Sequence, residues 1–130
     1  MITRNNVLIF SVYQANLSNK DNVINHYNVL ETLEKNNIPF VELSGSYKGI
    51  PERSILVNDF AFRNIVEDLV TKFNQECYLE SHGNDRSAYL VYPNGVRKAV
   101  GTLTAVDQAE AHKHDAWSYN VHTQTYWVTK

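Results

Sequence analysis

The eight residues Val7–Gln14, VLIFSVYQ, constrain this chain more than any other stretch. Apolar side chains fill almost every position without the polar alternation of a half-solvated strand, so a strand here needs cover on both faces. Helices can take one face. The other must meet a second layer, and folds that leave this sheet face in water are excluded.

Two segments carry helical periodicity. In Asp59–Glu76, Phe62, Ile65, Val66, Leu69, Val70 and Phe73 recur at helical spacing, opposite Arg63, Glu67, Asp68 and Lys72. Asn58 or Asp59 suits its N-cap. In Asp21–Asn36, Val23, Tyr27, Leu30 and Leu33 share one face, and Asn36, Asn37 and Pro39 end the segment. Strands are expected at Phe40–Leu43 and Ser54–Val57, around a loop holding Gly45, Gly49 and Pro51. A further strand is expected at Cys77–His82. Ser87–Tyr92 and Val96–Gly101 bracket Pro93-Asn94-Gly95, a strong hairpin signal. Thr104–Asp115 reads as a loop, and the aromatic tail Asp115–Lys130 as one or two strands.

The resulting order, β-α-β-β-α-β followed by a hairpin and a terminal strand, predicts an α+β, ferredoxin-like domain over residues 1–130. Two helices would cover one face of an antiparallel sheet. Self-association through sheet faces or edges would cover the other.

Charge and cysteine content narrow the classes. The 130 residues carry a formal net charge of −2 and a pI of about 6.2, which gives no bulk attraction for nucleic acid or anionic lipid. One cysteine, Cys77, excludes an intramolecular disulfide framework. No apolar run is long enough to span a bilayer, and MITRNNVLIF lacks a signal-peptide layout. The expectation is a cytoplasmic protein with no nucleic-acid or membrane partner.

Chemistry-bearing residues are sparse. His112, His114 and His122 lie near Asp107, Glu110 and Asp115, but in a polar stretch without ligand spacing, so no metal is expected. Phosphate-loop, dinucleotide, nucleophile-elbow and zincin motifs do not occur. Cys77, between a helix and a strand, reads as a small hydrophobe. Tyr47 and Glu52 flank the bend in LSGSYKGIPERSILV, where a turn between strands can hold functional groups. Asn74-Gln75-Glu76-Cys77 places polar groups where a helix ends and a strand begins, a pattern that ordinary capping also produces.

Taken in order, these segments resemble a family. VLIFSVYQANLSNKDNVINHYNVLETL is similar to the start of the phage T3-type S-adenosylmethionine-degrading enzymes, the SAM lyases or hydrolases. Leu43-Ser44-Gly45-Ser46-Tyr47 resembles their Leu-Thr-Gly-x-Tyr, and Glu52 precedes the strand SILV as their glutamate does. Gln75-Glu76-Cys77 resembles their Gln-acid-Cys, Ala88–Tyr92 their small-x-Leu-Val-Tyr, and WSYNVHTQTYWV their Trp-containing last strand. The stretch between Tyr47 and Glu52 is shorter here, and Thr104–Asp115 has no counterpart in the pattern.

The resemblance implies a trimer similar to the PII signalling proteins, with sites between subunits. It implies cleavage of S-adenosylmethionine to 5′-methylthioadenosine and homoserine lactone, or homoserine, depriving host restriction and methylation systems of their cofactor. Tyr47 and Glu52 would be catalytic, Gln75 and Glu76 substrate-binding, and no cofactor would be needed. The rival readings are a non-enzymatic PII-like small-ligand sensor and a phage inhibitor acting by direct contact with a host enzyme.

Overall fold

The computed structural model describes residues 6–130. Among them, eight strands form one closed antiparallel barrel: β1 (Val7–Phe10), β2 (Phe40–Tyr47), β3 (Ile50–Val57), β4 (Tyr78–Ser81), β5 (Ser87–Val91), β6 (Arg97–Val106), β7 (Ala116–Asn120) and β8 (Thr125–Thr129). Around the barrel the order is β1-β3-β2-β7-β8-β6-β5-β4, and β4 pairs back onto β1. Three helices accompany it: α1 (Asn19–Lys35), α2 (Arg63–Lys72) and the single turn α3 (Gln108–Ala111).

This corrects the ferredoxin-like expectation. The sheet does not stop at β2 and β4 as an open layer, because β5–β8 carry it round until it closes. Closure runs through β6, whose first part pairs with β5 and whose second part, Leu103–Val106, pairs with β8. At the change of partner the β5–β6 register slips, and Gly101 takes φ +91°. A Cβ there would lie 2.6 Å from the backbone of Lys130. A bulge with a glycine at such a position bends and twists a strand, as closing a sheet requires.

β1 is buried on both sides, as its composition demands, but both layers come from its own chain. Leu8 and Phe10 face an outer core with Val29, Leu30 and Leu33 of α1 and Val66, Leu69 and Val70 of α2. Val7 and Ile9 face the barrel interior with Leu43, Leu56, Leu103 and Trp127. The argument that self-association must cover the second face therefore falls.

Local corrections have identifiable causes. Residues 44–53 are not a loop: β2 and β3 run on to a two-residue turn, with Tyr47 opposite Ile50 and Lys48 and Gly49 at φ +52° and +81°. Positive φ at both central positions is the turn geometry whose twist matches a hairpin. Thr104–Asp115 holds the end of β6 and α3 rather than a loop, and the tail forms two strands. The long second helix begins instead with a 3-10 turn at Phe60–Phe62, capped by Asp59, whose carboxylate accepts from Ala61 N at 2.8 Å. Both long helices end on asparagine in the left-handed region, Asn37 and Asn74, with Ile38 N bonded to Leu33 O and Gln75 N to Val70 O. α1 is also rotated from its expected face: Asn22 and His26 are buried, whereas Tyr27 is exposed.

Candidate functional site

The β2–β3 hairpin brings the first two candidates together. Glu52 pairs with Gly45, and Tyr47 lies two residues beyond Gly45 on the same face. That face belongs to the barrel interior, because Leu43 and Leu56 share it. The register continues across the barrel as one row, Glu52–Gly45–Ser118–Trp127, over four neighbouring strands. Gly45 is required where it stands: a Cβ there would meet the carbonyl oxygen of Trp117 on β7 at 2.2 Å. Trp127 is buried, and its indole N–H has no acceptor among the described residues.

Gln75 and Glu76 arrive from the other side. The left-handed turn at Asn74 ends α2 and leads through both residues into β4. Gln75 donates its amide nitrogen to the carbonyls of Tyr13 at 2.6 Å and Phe73 at 3.3 Å, leaving the side-chain oxygen to accept. Glu76 is exposed.

Tyr47, Glu52, Gln75 and Glu76 line two adjoining hollows at one mouth of the barrel. The inner one, about 210 Å³, reaches into the barrel and is walled mainly by apolar groups such as Ile9, Leu79, Leu103 and Trp127. The outer one, about 600 Å³, is bounded by the segment from Tyr13 to Leu17, by Asn19 and Asn22, and by Ile50 and Pro51. The four candidates are common to both walls, where the apolar chamber opens into the more polar vestibule.

Glu52 is the electrostatically unusual member. Partial burial pushes its carboxyl up to about 7, and no cation among the described residues offsets the lost hydration. A half-buried carboxyl at a cavity junction, with no ion-pair partner among the described residues, is poised to receive a cationic group, which would restore its charge. Tyr47 is partly exposed, its ring 5.1 Å from Lys48 Nζ. Cys77 lines the inner hollow half-buried, and burial raises its thiol above the usual range, which disfavours the nucleophilic thiolate.

The three C-terminal histidines do not converge. His112 packs 4.9 Å from the Trp117 ring, His114 bonds Glu110 at 2.9 Å, and His122 N donates to Asn120 Oδ1 at 3.0 Å. No group of three potential metal ligands gathers among the described residues.

Sequence reasoning missed Ser11, Asn22, Ser118 and Trp127 as parts of these walls. Asn22 carried a weak signal, an amide near the start of a helix that packs on a core. Ser118 and Trp127 depend on cross-strand register, and Ser11, just past β1, on its bond to Arg53 O.

No curated protein matches the chain. The family model described as the S-adenosylmethionine lyase family matches residues 8–130, a span that takes in both walls of the site and all but the first seven residues. The chain belongs to the S-adenosylmethionine lyase family.

Proposed function

We propose that this barrel cleaves S-adenosylmethionine to 5′-methylthioadenosine and homoserine lactone, at the junction of the two hollows. One observation carries the reading: Tyr47 and Glu52 on one hairpin and Gln75 and Glu76 from a distant stretch of sequence share the walls of both chambers in a chain of the S-adenosylmethionine lyase family.

The chemistry suits a site with few reactive groups. A sulfonium is already a good leaving group. The substrate's own carboxylate oxygen attacks the γ-carbon, forming the O–Cγ bond as the Cγ–S bond breaks. The bonding pair goes to sulfur, giving a neutral thioether and a five-membered lactone, and no proton moves. Homoserine follows if water opens the ring. Charge disappears along this path, so a dry cavity favours the products. Most of the acceleration comes from holding the chain folded for attack, an effect worth up to about 7–11 kcal/mol.

In this scheme Glu52 pairs with the substrate ammonium and fixes the amino-acid end. Tyr47 presents its ring to the sulfonium. The free oxygen of Gln75 and the carboxylate of Glu76 accept hydrogen bonds from the ribose or the amino group. No cofactor or metal takes part in this path. The homotrimer, the cytoplasmic setting and the role in depriving restriction and methylation systems of their cofactor join this proposal through the likeness to phage enzymes. Among the described residues no helix is long and apolar enough to cross a membrane.

The test is direct: incubate purified protein with S-adenosylmethionine and separate the products by chromatography. Appearance of methylthioadenosine with homoserine lactone supports the reading. Absence of product would overturn the proposal: retained binding would then make the chain a sensor, and absence of binding as well would leave the inhibitor reading.

A further inference from the structure

The segment between β1 and α1 forms one wall of the outer hollow, and side chains rather than a strand ladder hold its backbone. Each buried backbone N–H and C=O needs a partner, so where these bonds go shows what fixes the wall. Tyr13 N donates to Ser11 Oγ at 3.1 Å, and Tyr13 O accepts from Gln75 Nε2 at 2.6 Å. Gln14 N donates to Asn22 Oδ1 at 2.8 Å, and Gln14 O accepts from Asn22 Nδ2 at 3.0 Å. All four backbone groups of these two residues are thus held by three side chains. Leu17 N closes the turn on Gln14 O at 3.1 Å, and Ser18 then caps α1.

Each clamp leads back to the site. Ser11 also donates to Arg53 O at 2.8 Å, next to Glu52 on β3. Gln75 lines both hollows. Asn22, only 7% exposed on α1, imitates a short β-bridge with its amide and ties the wall to the helix. An amide buried on the core side of an amphipathic helix loses packing that an apolar residue would provide. Its two bonds to the backbone of one residue, Gln14, account for its presence there.

We propose that Asn22 is a positioning residue for substrate binding: it holds the Tyr13–Leu17 wall against the outer hollow, with Gln75 and Ser11 as companion clamps. The proposal rests on the S-adenosylmethionine reading for the identity of the substrate. The wall bounds the vestibule without touching the reacting bond, so its loss weakens binding more than chemistry.

The experiment compares wild-type protein with Asn22→Ala and Asn22→Asp. Alanine removes both bonds. Aspartate keeps the acceptor for Gln14 N–H but sets a carboxylate against the Gln14 carbonyl. Steady-state kinetics with S-adenosylmethionine, well below each variant's Tm, are expected to show KM raised about tenfold and kcat within about threefold. Amide hydrogen exchange without substrate is expected to quicken at Gln14–Leu17 while the β1 and β3 amides stay protected. A purely structural role lowers Tm but leaves KM unchanged in the folded variant. Wild-type KM together with quickened exchange would overturn the positioning role, as would unchanged exchange at Gln14. An equal loss of kcat and kcat/KM would also overturn it, moving Asn22 into the chemical step. If wild-type protein neither binds nor cleaves S-adenosylmethionine, the functional reading fails first and this proposal with it. Failure of Asn22 alone leaves that reading standing.

Discussion

Tyr47 and Glu52 lie diagonally across the β2–β3 hairpin on one face, because Glu52 pairs with Gly45 and Tyr47 follows two residues later. The pair spans a turn of only two residues, so the ring and the carboxyl are held by the strand ladder. Elements of regular structure hold functional groups more rigidly than loops do. The site is therefore open to specific tests.

Glu52→Gln keeps shape and removes the charge. A hydrogen bond to a charged group contributes about 1.5–3 kcal/mol, or roughly ten- to hundredfold, and loss of simple anchoring would appear in KM. Holding the substrate's ends is the catalysis in this scheme, so kcat is expected to fall more than about hundredfold. Steady-state kinetics decide this, and near-wild-type kcat would remove Glu52 from the mechanism.

The pH dependence follows from the same carboxyl. Glu52 titrates at about 7 in the free protein, and only its ionised form pairs with the ammonium. The kcat/KM profile is expected to rise from pH 6 to 8, losing activity on the acid side. Stability runs the other way. A folded-state pKa above the unfolded value near 4.5 means the folded chain binds more protons between these values, so stability falls as pH rises through that window. The loss amounts to about 3 kcal/mol. Glu52→Gln should flatten both trends, measured by kinetics and by thermal melts across pH.

Tyr47→Phe separates ring from hydroxyl. If the ring faces the sulfonium, phenylalanine retains activity within about fivefold, whereas Tyr47→Ala loses roughly tenfold or more, in keeping with a desolvated cation–π contact. A collapse in the phenylalanine variant equal to that of alanine would assign the work to the hydroxyl.

Gly45→Ala tests the barrel seam. Its Cβ would press on the Trp117 carbonyl at 2.2 Å, and backbone cannot yield as a flexible side chain can. Destabilisation of about 3 kcal/mol is expected, lowering Tm by about 10 °C. An unchanged Tm would show that β2 and β7 do not approach so closely.

Chelation should leave turnover unchanged, because a sulfonium leaves without a Lewis acid. Activity lost in EDTA and restored by one added metal would revive a ligand role for His112, His114 and His122.

What the sequence determined by itself was local. The unbroken apolar run at β1 demanded cover on both faces, and β1 is buried on both. Asn94-Gly95 marked a hairpin, and Gly95 takes φ +86° there. Asn36 and Asn37 marked the end of the first long helix, whereas the second, read through to Glu76, stops at Lys72. Such signals act within a few residues, through backbone preference and periodicity, so they can be read in order along the chain. Tyr47 and Glu52 were singled out at a turn and Gln75 and Glu76 at a helix end; their roles came from the resemblance and await the kinetics above.

Tertiary structure decided the rest. The order of the first elements suits an open sheet, and nothing in their periodicity says that β6 will leave β5 for β8 at Gly101. Closure is a matter of register between strands far apart in sequence, and it supplies from within the chain the second layer that β1 requires. The same pairing sets Glu52, Gly45, Ser118 and Trp127 in one row. Asn22 was overlooked because helical periodicity ranks residues by hydropathy. Only the folded chain brings the backbone N–H and C=O of Gln14 within 3.0 Å of its amide, where hydrogen bonding outweighs the apolar packing that the same position would otherwise favour.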